Sequence, residues 1–207
     1  IFDLWRTSEV TPSSLRALAQ ADAFRSMGFD RQHSLWEVRK LNGKPLPLFD
    51  GVSEQQVFVA QLPPIPASDD VTRDYRSMGL SLKAHPVSFL RTMLRARRVI
   101  TAAEAKDERV SPFGRMVAVA GIVLFRQRPG TAKGIMFMTI EDETGRVDLI
   151  IRPPVYERFR EGAVYAKIVI ARGRVERRGA IVHVLATGFE DISSHAGELP
   201  TLSRNFR

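Results

Sequence analysis

Met116-Val-Ala-Val-Ala-Gly-Ile-Val-Leu-Phe125 begins the stretch that decides the fold, which runs from Arg115 to Gly188. This apolar, β-rich segment passes into Arg126-Gln-Arg-Pro-Gly-Thr-Ala-Lys-Gly134, where Pro129, Gly130 and Gly134 spell a turn. Ile135 to Ile140 reads as a second strand, closed by the acidic turn Glu141-Asp-Glu-Thr-Gly145. Arg146 to Arg152 is the third, because Val147, Leu149 and Ile151 alternate at period two. Pro153-Pro154 ends that hairpin and opens a short helix over Val155 to Arg160. Val164 to Val175 is the fourth strand, Arg177-Arg-Gly179 a tight turn, and Ala180 to Thr187 the fifth. In the fourth strand, Ile168 and Ile170 favour one inward face and Val169 and Val175 the other, with Gly173 marking a bulge.

Three strands, a helix and two strands is the order of an OB barrel, a five-stranded Greek-key barrel whose loops after strands one and four flank a ligand groove. Those loops carry Arg126, Arg128 and Lys133 on one side and Arg177 and Arg178 on the other. Arg152 and Arg174 add to the same set of expected phosphate contacts, and Phe137, with Phe125 and His183, is a candidate stacking platform.

The charge distribution supports a polyanionic ligand. Lys and Arg outnumber Asp and Glu 13 to 7 over residues 113–188 and 9 to 6 over 69–112, but match them 7 to 7 over 1–68. A local field of this kind steers nucleic acid, whereas a uniform one serves solubility. Absence of cysteine excludes disulfides and thiolate metal sites, and His33, His85, His183 and His195 are too scattered in sequence to suggest a metal cluster. No apolar run approaches the roughly 20 residues of a membrane span, and no signal peptide is evident, so no membrane partner and a cytoplasmic location are expected. A chain starting at Ile1 reads as a piece of something longer. No phosphate-binding loop, dinucleotide fingerprint or hydrolytic triad is present. The carboxylates Glu141, Asp142 and Glu143 read as a solvated turn.

The expected fold class is α+β: an N-terminal helical segment, a Pro-rich linker with short helices, then the OB barrel. The boundaries are helices over 1–41, a linker over 42–68, connecting helices over 69–112, the barrel over 113–193 and a tail over 194–207. Two helices in 1–41, capped at Thr11 and Asp30, are too few to close a core and are expected to dock on an absent neighbour. Pro45-Leu-Pro-Leu-Phe49 in the linker offers Leu46, Leu48 and Phe49 as a partner-binding anchor. His85 to Arg98 reads as one helix with Phe89, Leu90, Met93 and Leu94 on its apolar side and Arg91, Arg95 and Arg98 opposite, where they could extend a backbone-tracking groove.

The sequences Ala21-Asp-Ala-Phe-Arg-Ser-Met-Gly28 with Asp30-Arg31, Leu80-Ser-Leu-Lys-Ala-His-Pro86, Arg128-Pro-Gly-Thr-Ala-Lys-Gly134 and Glu141-Asp-Glu-Thr-Gly145 together resemble the C-terminal part of bacterial family C DNA polymerases, and most of all the error-prone ImuC type. The resemblance implies a non-catalytic segment of a damage-induced translesion polymerase. Residues 1–41 would end a helix-hairpin-helix region that contacts duplex DNA, and the OB domain would hold single-stranded template DNA. The segment would need no cofactor of its own, Mg2+ being expected in the absent catalytic domain. Implied partners are ImuB and, indirectly, the sliding clamp: Leu48-Phe49 match the end of a clamp-binding pentapeptide, but Pro45 stands where the family's Gln would be. Two other readings compete: a protein-docking module for ImuB with little DNA binding, and a free-standing RNA-binding OB protein of the tRNA-anticodon type.

Overall fold

A computed structural model describes residues 1–41, 63–179, 181–195 and the backbone of 196 and 204–206. The chain forms two compact units, Ile1–Leu80 and Ser81–Arg207. None of the described helices is long and apolar enough to cross a membrane.

The first unit contains α1 (Phe2–Thr7), α2 (Pro12–Gln20), α3 (Arg31–Arg39) and α4 (Ala67–Met78). The local signals are capping ones. Thr11 Oγ1 accepts from Ser14 N at 3.2 Å, and Asp30 Oδ1 accepts from His33 N at 2.8 Å. Gly28, at φ 84°, makes the left-handed turn between α2 and α3. Leu15, Ala19, Phe24 and Val38 form a buried cluster flanked by Trp5, Phe29 and Leu35. The core that two helices could not close is completed within the unit, because α1 adds Trp5 and α4 docks through charge. Arg31, only 3% exposed, donates to the Gln20 carbonyl at 2.8 Å and to Asp74 of α4, and lies 3.2 Å from Asp70. The expected connecting region 69–112 is therefore divided: α4 belongs to the first unit and residues 81–112 to the second.

In the second unit the expected single helix over His85 to Arg98 is a 3-10 segment, Pro86–Leu90, followed by α5 (Arg91–Ala96). His85 Nδ1 accepts from Val87 N at 3.2 Å and starts the segment, a role only the unprotonated nitrogen can fill. Arg98 at φ 57° ends the run. Next comes α6 (Ala102–Lys106), opened by a reciprocal cap in which Glu104 N donates to Thr101 Oγ1 at 3.2 Å and Thr101 N to Glu104 Oε2 at 2.7 Å. Its Ala102 and Ala105 belong to the barrel core.

The barrel strands are β1 (Met116–Gln127), β2 (Met136–Asp142), β3 (Gly145–Ile151), β4 (Ile168–Arg178) and β5 (Ile181–Asp191). They close in the order β1-β2-β3-β5-β4-β1, with only β3 and β5 parallel among these five pairings. This is the OB fold read from the sequence. Strand β1 serves two neighbours, β4 through Met116–Ile122 and β2 through Ile122–Gln127. Gly121 permits the crossover, since a Cβ there would sit 2.7 Å from the Glu141 carbonyl oxygen. One end of the barrel carries α6; between β3 and β4 lie α7 (Pro153–Arg158) and α8 (Arg160–Tyr165), whose Tyr156 and Ala163 enter the same core. In β4, Val169, Ala171 and Val175 face the interior while Ile168 and Ile170 are buried on the other side. The extra residue of the bulge opposite Arg172 and Gly173 is Thr187 of β5. A short strand β6 (Arg204–Phe206) runs parallel to Phe125–Gln127 and prolongs the sheet beyond β1.

His85 makes the second unit sensitive to pH. Burial lowers its pKa below the ordinary 6.5, against the opposing charges of Glu141, Glu143 and Asp142 and with a smaller contribution from Arg91 in the lowering direction. The unfolded chain takes up this proton near 6.5 and the folded chain only at lower pH, so the unfolded state binds more protons in between. Stability from the neutral ring is complete above 6.5 and falls as pH drops through the folded value. Urea midpoints at pH 7.5 and 5.5 should therefore differ more for the wild type than for His85→Asn, which keeps a capping acceptor without titrating; equal differences would remove His85 from this role.

Candidate nucleic-acid interface

The open face of the barrel is built from the outward residues of β2, β3 and β5, and register places them in two rows. In the first, Phe137 lies beside Ile150, Ile150 beside Leu185 and Leu185 beside Arg174. In the second, Thr139 is followed by Asp148, His183 and Glu176. The alternate residues Met138, Leu149, Val184 and Val175 point inward, which forces these side chains out. Phe137 is 38% exposed, so an aromatic face is available beside two aliphatic side chains. Thr139 Oγ1 donates to Asp148 Oδ1 at 2.6 Å.

One border of this floor comes from the loop between β1 and β2. A 3-10 turn at Gly130–Ala132 leads into Lys133 and Gly134, both left-handed at φ 49° and 81°. The Arg128 guanidinium lies over the Tyr156 ring, 4.4 Å from its centroid. The position a Cβ of Gly134 would take is 3.4 Å from Pro153 and 3.6 Å from Arg128 Nη2. Arg128, Lys133 and Arg152, the residue before Pro153, thus gather at one border, all exposed. The other border is the β4–β5 hairpin, where Arg178 is exposed and Ile181 is 56% exposed.

Two arginines expected in the groove are structural instead. Arg126 is only 4% exposed, with Nε donating to the Ala163 carbonyl at 2.7 Å and Nη2 to that of Ala166. The cause is a register shift between Val123 and Phe125, which moves Arg126 to the inward phase beside Met138. Burial, partly offset by Asp191, pulls its pKa down to about 10, leaving it charged at neutral pH. Arg177 donates from Nη2 to the carbonyls of Ser111 at 2.8 Å and Lys106 at 2.9 Å, fastening the hairpin to the last residue of α6 and to the segment after it. The remaining six residues, Arg128, Lys133, Phe137, Arg152, Arg174 and Arg178, are exposed. The arginine face expected on His85 to Arg98 is also engaged in part: Arg91 binds Asp142 and Glu143, and Arg95 binds Glu104.

The sequence reading missed Ile150, Leu185, Thr139 and Asp148. Their signal was the period-two alternation that set Val147, Leu149 and Ile151 inside, read for its outward half. The acidic triplet is not a solvated turn, because the Asp142 side chain is fully buried. Leu46, Leu48 and Phe49 lie outside the described residues. Among the described residues, no cluster of His, Asp or Glu could hold a metal ion.

Residues 117–192 match the family model described as an OB-fold nucleic acid binding domain. Error-prone DNA polymerase 1 of Rhizobium meliloti (strain 1021) is 41% identical over 213 residues, covering 100% of this chain and 19% of the relative. Error-prone DNA polymerase of Rhodopseudomonas palustris (strain HaA2) is 42% identical over 199 residues, 94% of this chain and 17% of its own length. Among solved structures, asparaginyl-tRNA synthetase from Pyrococcus horikoshii is 27% identical over 45% of this chain and 23% of that chain, with a TM-score of 0.38. The fold assignment rests on strand order and register. The chain is thus similar along its whole length to error-prone DNA polymerases, and it spans 19% of the length of the first of these relatives.

Proposed function

We propose that the open face of the barrel binds single-stranded DNA, and that the chain is the non-catalytic template-holding segment of an error-prone DNA polymerase. The observation that carries this reading is an apolar floor, Phe137, Ile150 and Leu185, bordered by Arg128, Lys133 and Arg152 at one end and by Arg174 and Arg178 toward the other. Unpaired bases present π faces and strand phosphates present charge, so one ligand satisfies both parts. Polymerisation across damaged template, with Mg2+ in a catalytic domain beyond this chain, translesion synthesis with ImuB, and clamp contact through ImuB belong to the same proposal.

Anisotropy of a labelled oligothymidylate with the 207-residue chain tests it. The logarithm of affinity should fall linearly with the logarithm of salt, by about 0.7 for each phosphate neutralised. Arg128→Glu with Lys133→Glu should flatten that slope by more than one and weaken binding roughly tenfold or more at low salt, whatever the base sequence. Absent or salt-insensitive binding sinks the proposal.

A second reading is favoured by Phe113, just before β1, and Met116, its first residue, which are 70% and 56% exposed. Such side chains suit a protein partner such as ImuB. A complex with ImuB that survives high salt and is lost in Phe113→Ala with Met116→Ala would establish docking there.

A further inference from the structure

The floor between the basic borders contains a carboxylate. Asp148 is exposed at the centre of the second row, with Thr139 on one side and His183 and Glu176 on the other. A negative charge there repels phosphate, which leaves the strand's backbone to the cationic borders and turns its bases toward Asp148. The Thr139 hydroxyl, donating to Oδ1 at 2.6 Å, fixes the plane of the carboxylate, and an ionised carboxylate with one such bond keeps acceptor capacity on both oxygens. What it can recognise is a pair of adjacent donors. On the Watson–Crick edge only guanine offers two, N1–H and the N2 amine; adenine, cytosine and thymine each set an acceptor beside the donor.

We propose that Asp148 reads guanine in the single strand bound on this face, with Thr139 as its positioning residue. The inference rests on the single-strand reading above and adds base selectivity to it. The pairing is the two-donor, two-acceptor geometry that makes charge-assisted hydrogen bonds specific.

The test uses the 207-residue chain and three sets of labelled oligonucleotides: all thymine, thymine with isolated guanines, and the same with deoxyinosine or 7-deazaguanine at those positions. Guanine should tighten binding roughly tenfold, the scale of one good bidentate pair. Deoxyinosine, lacking the N2 amine, should lose that gain, and 7-deazaguanine, which retains both donors, should keep it. Asp148→Asn should close the gap between guanine and thymine oligonucleotides, since the carboxamide replaces one acceptor by a donor. Equal binding of guanine and thymine strands by the wild type, a gain that survives inosine, or a preference unchanged in Asp148→Asn would each overturn the assignment while leaving the single-strand reading standing. Binding of none of these strands at low salt removes both. The base-analogue series needs no variant, so a folding defect in Asp148→Asn cannot rescue or mask the result.

Discussion

Arg126→Ala should lower the stability of the second unit by about 3 kcal/mol or more, because it strips two buried carbonyls of their donors and leaves the space of a long side chain. The carbonyls belong to Ala163 and Ala166, at the end of α8, where no further helical turn supplies an amide. Each unsatisfied group costs about 1–3 kcal/mol, and Ala cannot refill the volume. In thermal melts followed by circular dichroism, the expected fall in Tm is roughly 10–20 °C. Arg126→Met separates the causes: it restores most of the packing but not the hydrogen bonds and should recover only part of the loss. Arg126→Glu should not fold, because it sets a carboxylate against two carbonyl oxygens. Arg128→Ala is the contrast; its exposed guanidinium loses one contact with the Tyr156 ring, worth about 0.5–1 kcal/mol. If Arg126→Ala melts within a degree or two of wild type, the guanidinium does not hold that end of the barrel.

The two arginines differ by two positions in sequence, and the difference between them marks where sequence reading stops. Met116 to Phe125 is apolar on both faces, and from Val117 to Val123 both faces are buried, Ala118, Ala120 and Ile122 on one and Val117, Val119 and Val123 on the other. A strand with no alternation gives no warning when its phase shifts, so the irregularity near Leu124 and the inward turn of Arg126 were invisible. Arg177 was illegible for another reason: its acceptor at Ser111 is 66 residues away. Strands with one solvated face were legible, and β3 was placed within a residue at each end by Val147, Leu149 and Ile151. Loop cations were legible where they stay exposed and engage no distant acceptor among the described residues, as at Lys133 and Arg178. The cap Thr101-Ala-Ala-Glu104 was readable in principle and marks the start of α6, but its destination in the barrel core was not, because Ala102 and Ala105 are too small to announce burial.

Asp142→Ala is expected to cost about 3–5 kcal/mol and to release α6 from the barrel. The carboxylate is fully buried and accepts from Ala102 N at 2.9 Å, Thr144 N at 2.8 Å, Thr144 Oγ1 at 2.7 Å and Arg91 Nη2 at 3.0 Å. One side chain thereby ties the first turn of α6, the β2–β3 turn and α5 together. Its removal leaves the Ala102 amide and part of the Arg91 guanidinium facing a cavity. Glu143 still holds Arg91, at 2.6 Å from Nε and 2.9 Å from Nη2, so α5 should loosen less than α6. Amide hydrogen exchange distinguishes the two: Ala105, whose amide donates to the Thr101 carbonyl at 2.9 Å, should lose most of its protection, while Arg97, bonded to Met93 and Leu94, should lose little. Asp142→Asn retains shape and one acceptor oxygen but aims an amide group at one of the donors, and should fall between wild type and Asp142→Ala. Glu143→Ala removes only partly exposed contacts and should cost about 1 kcal/mol. If Asp142→Ala keeps wild-type stability, or if Ala105 stays protected, then the core contacts of Ala102 and Ala105, with the Ala103–Thr144 and Lys106–Arg177 hydrogen bonds, hold α6 and the carboxylate is incidental. The ordering Asp142→Ala, Asp142→Asn, Glu143→Ala is what a single buried anchor requires, because only the first removes both oxygens of the buried carboxylate.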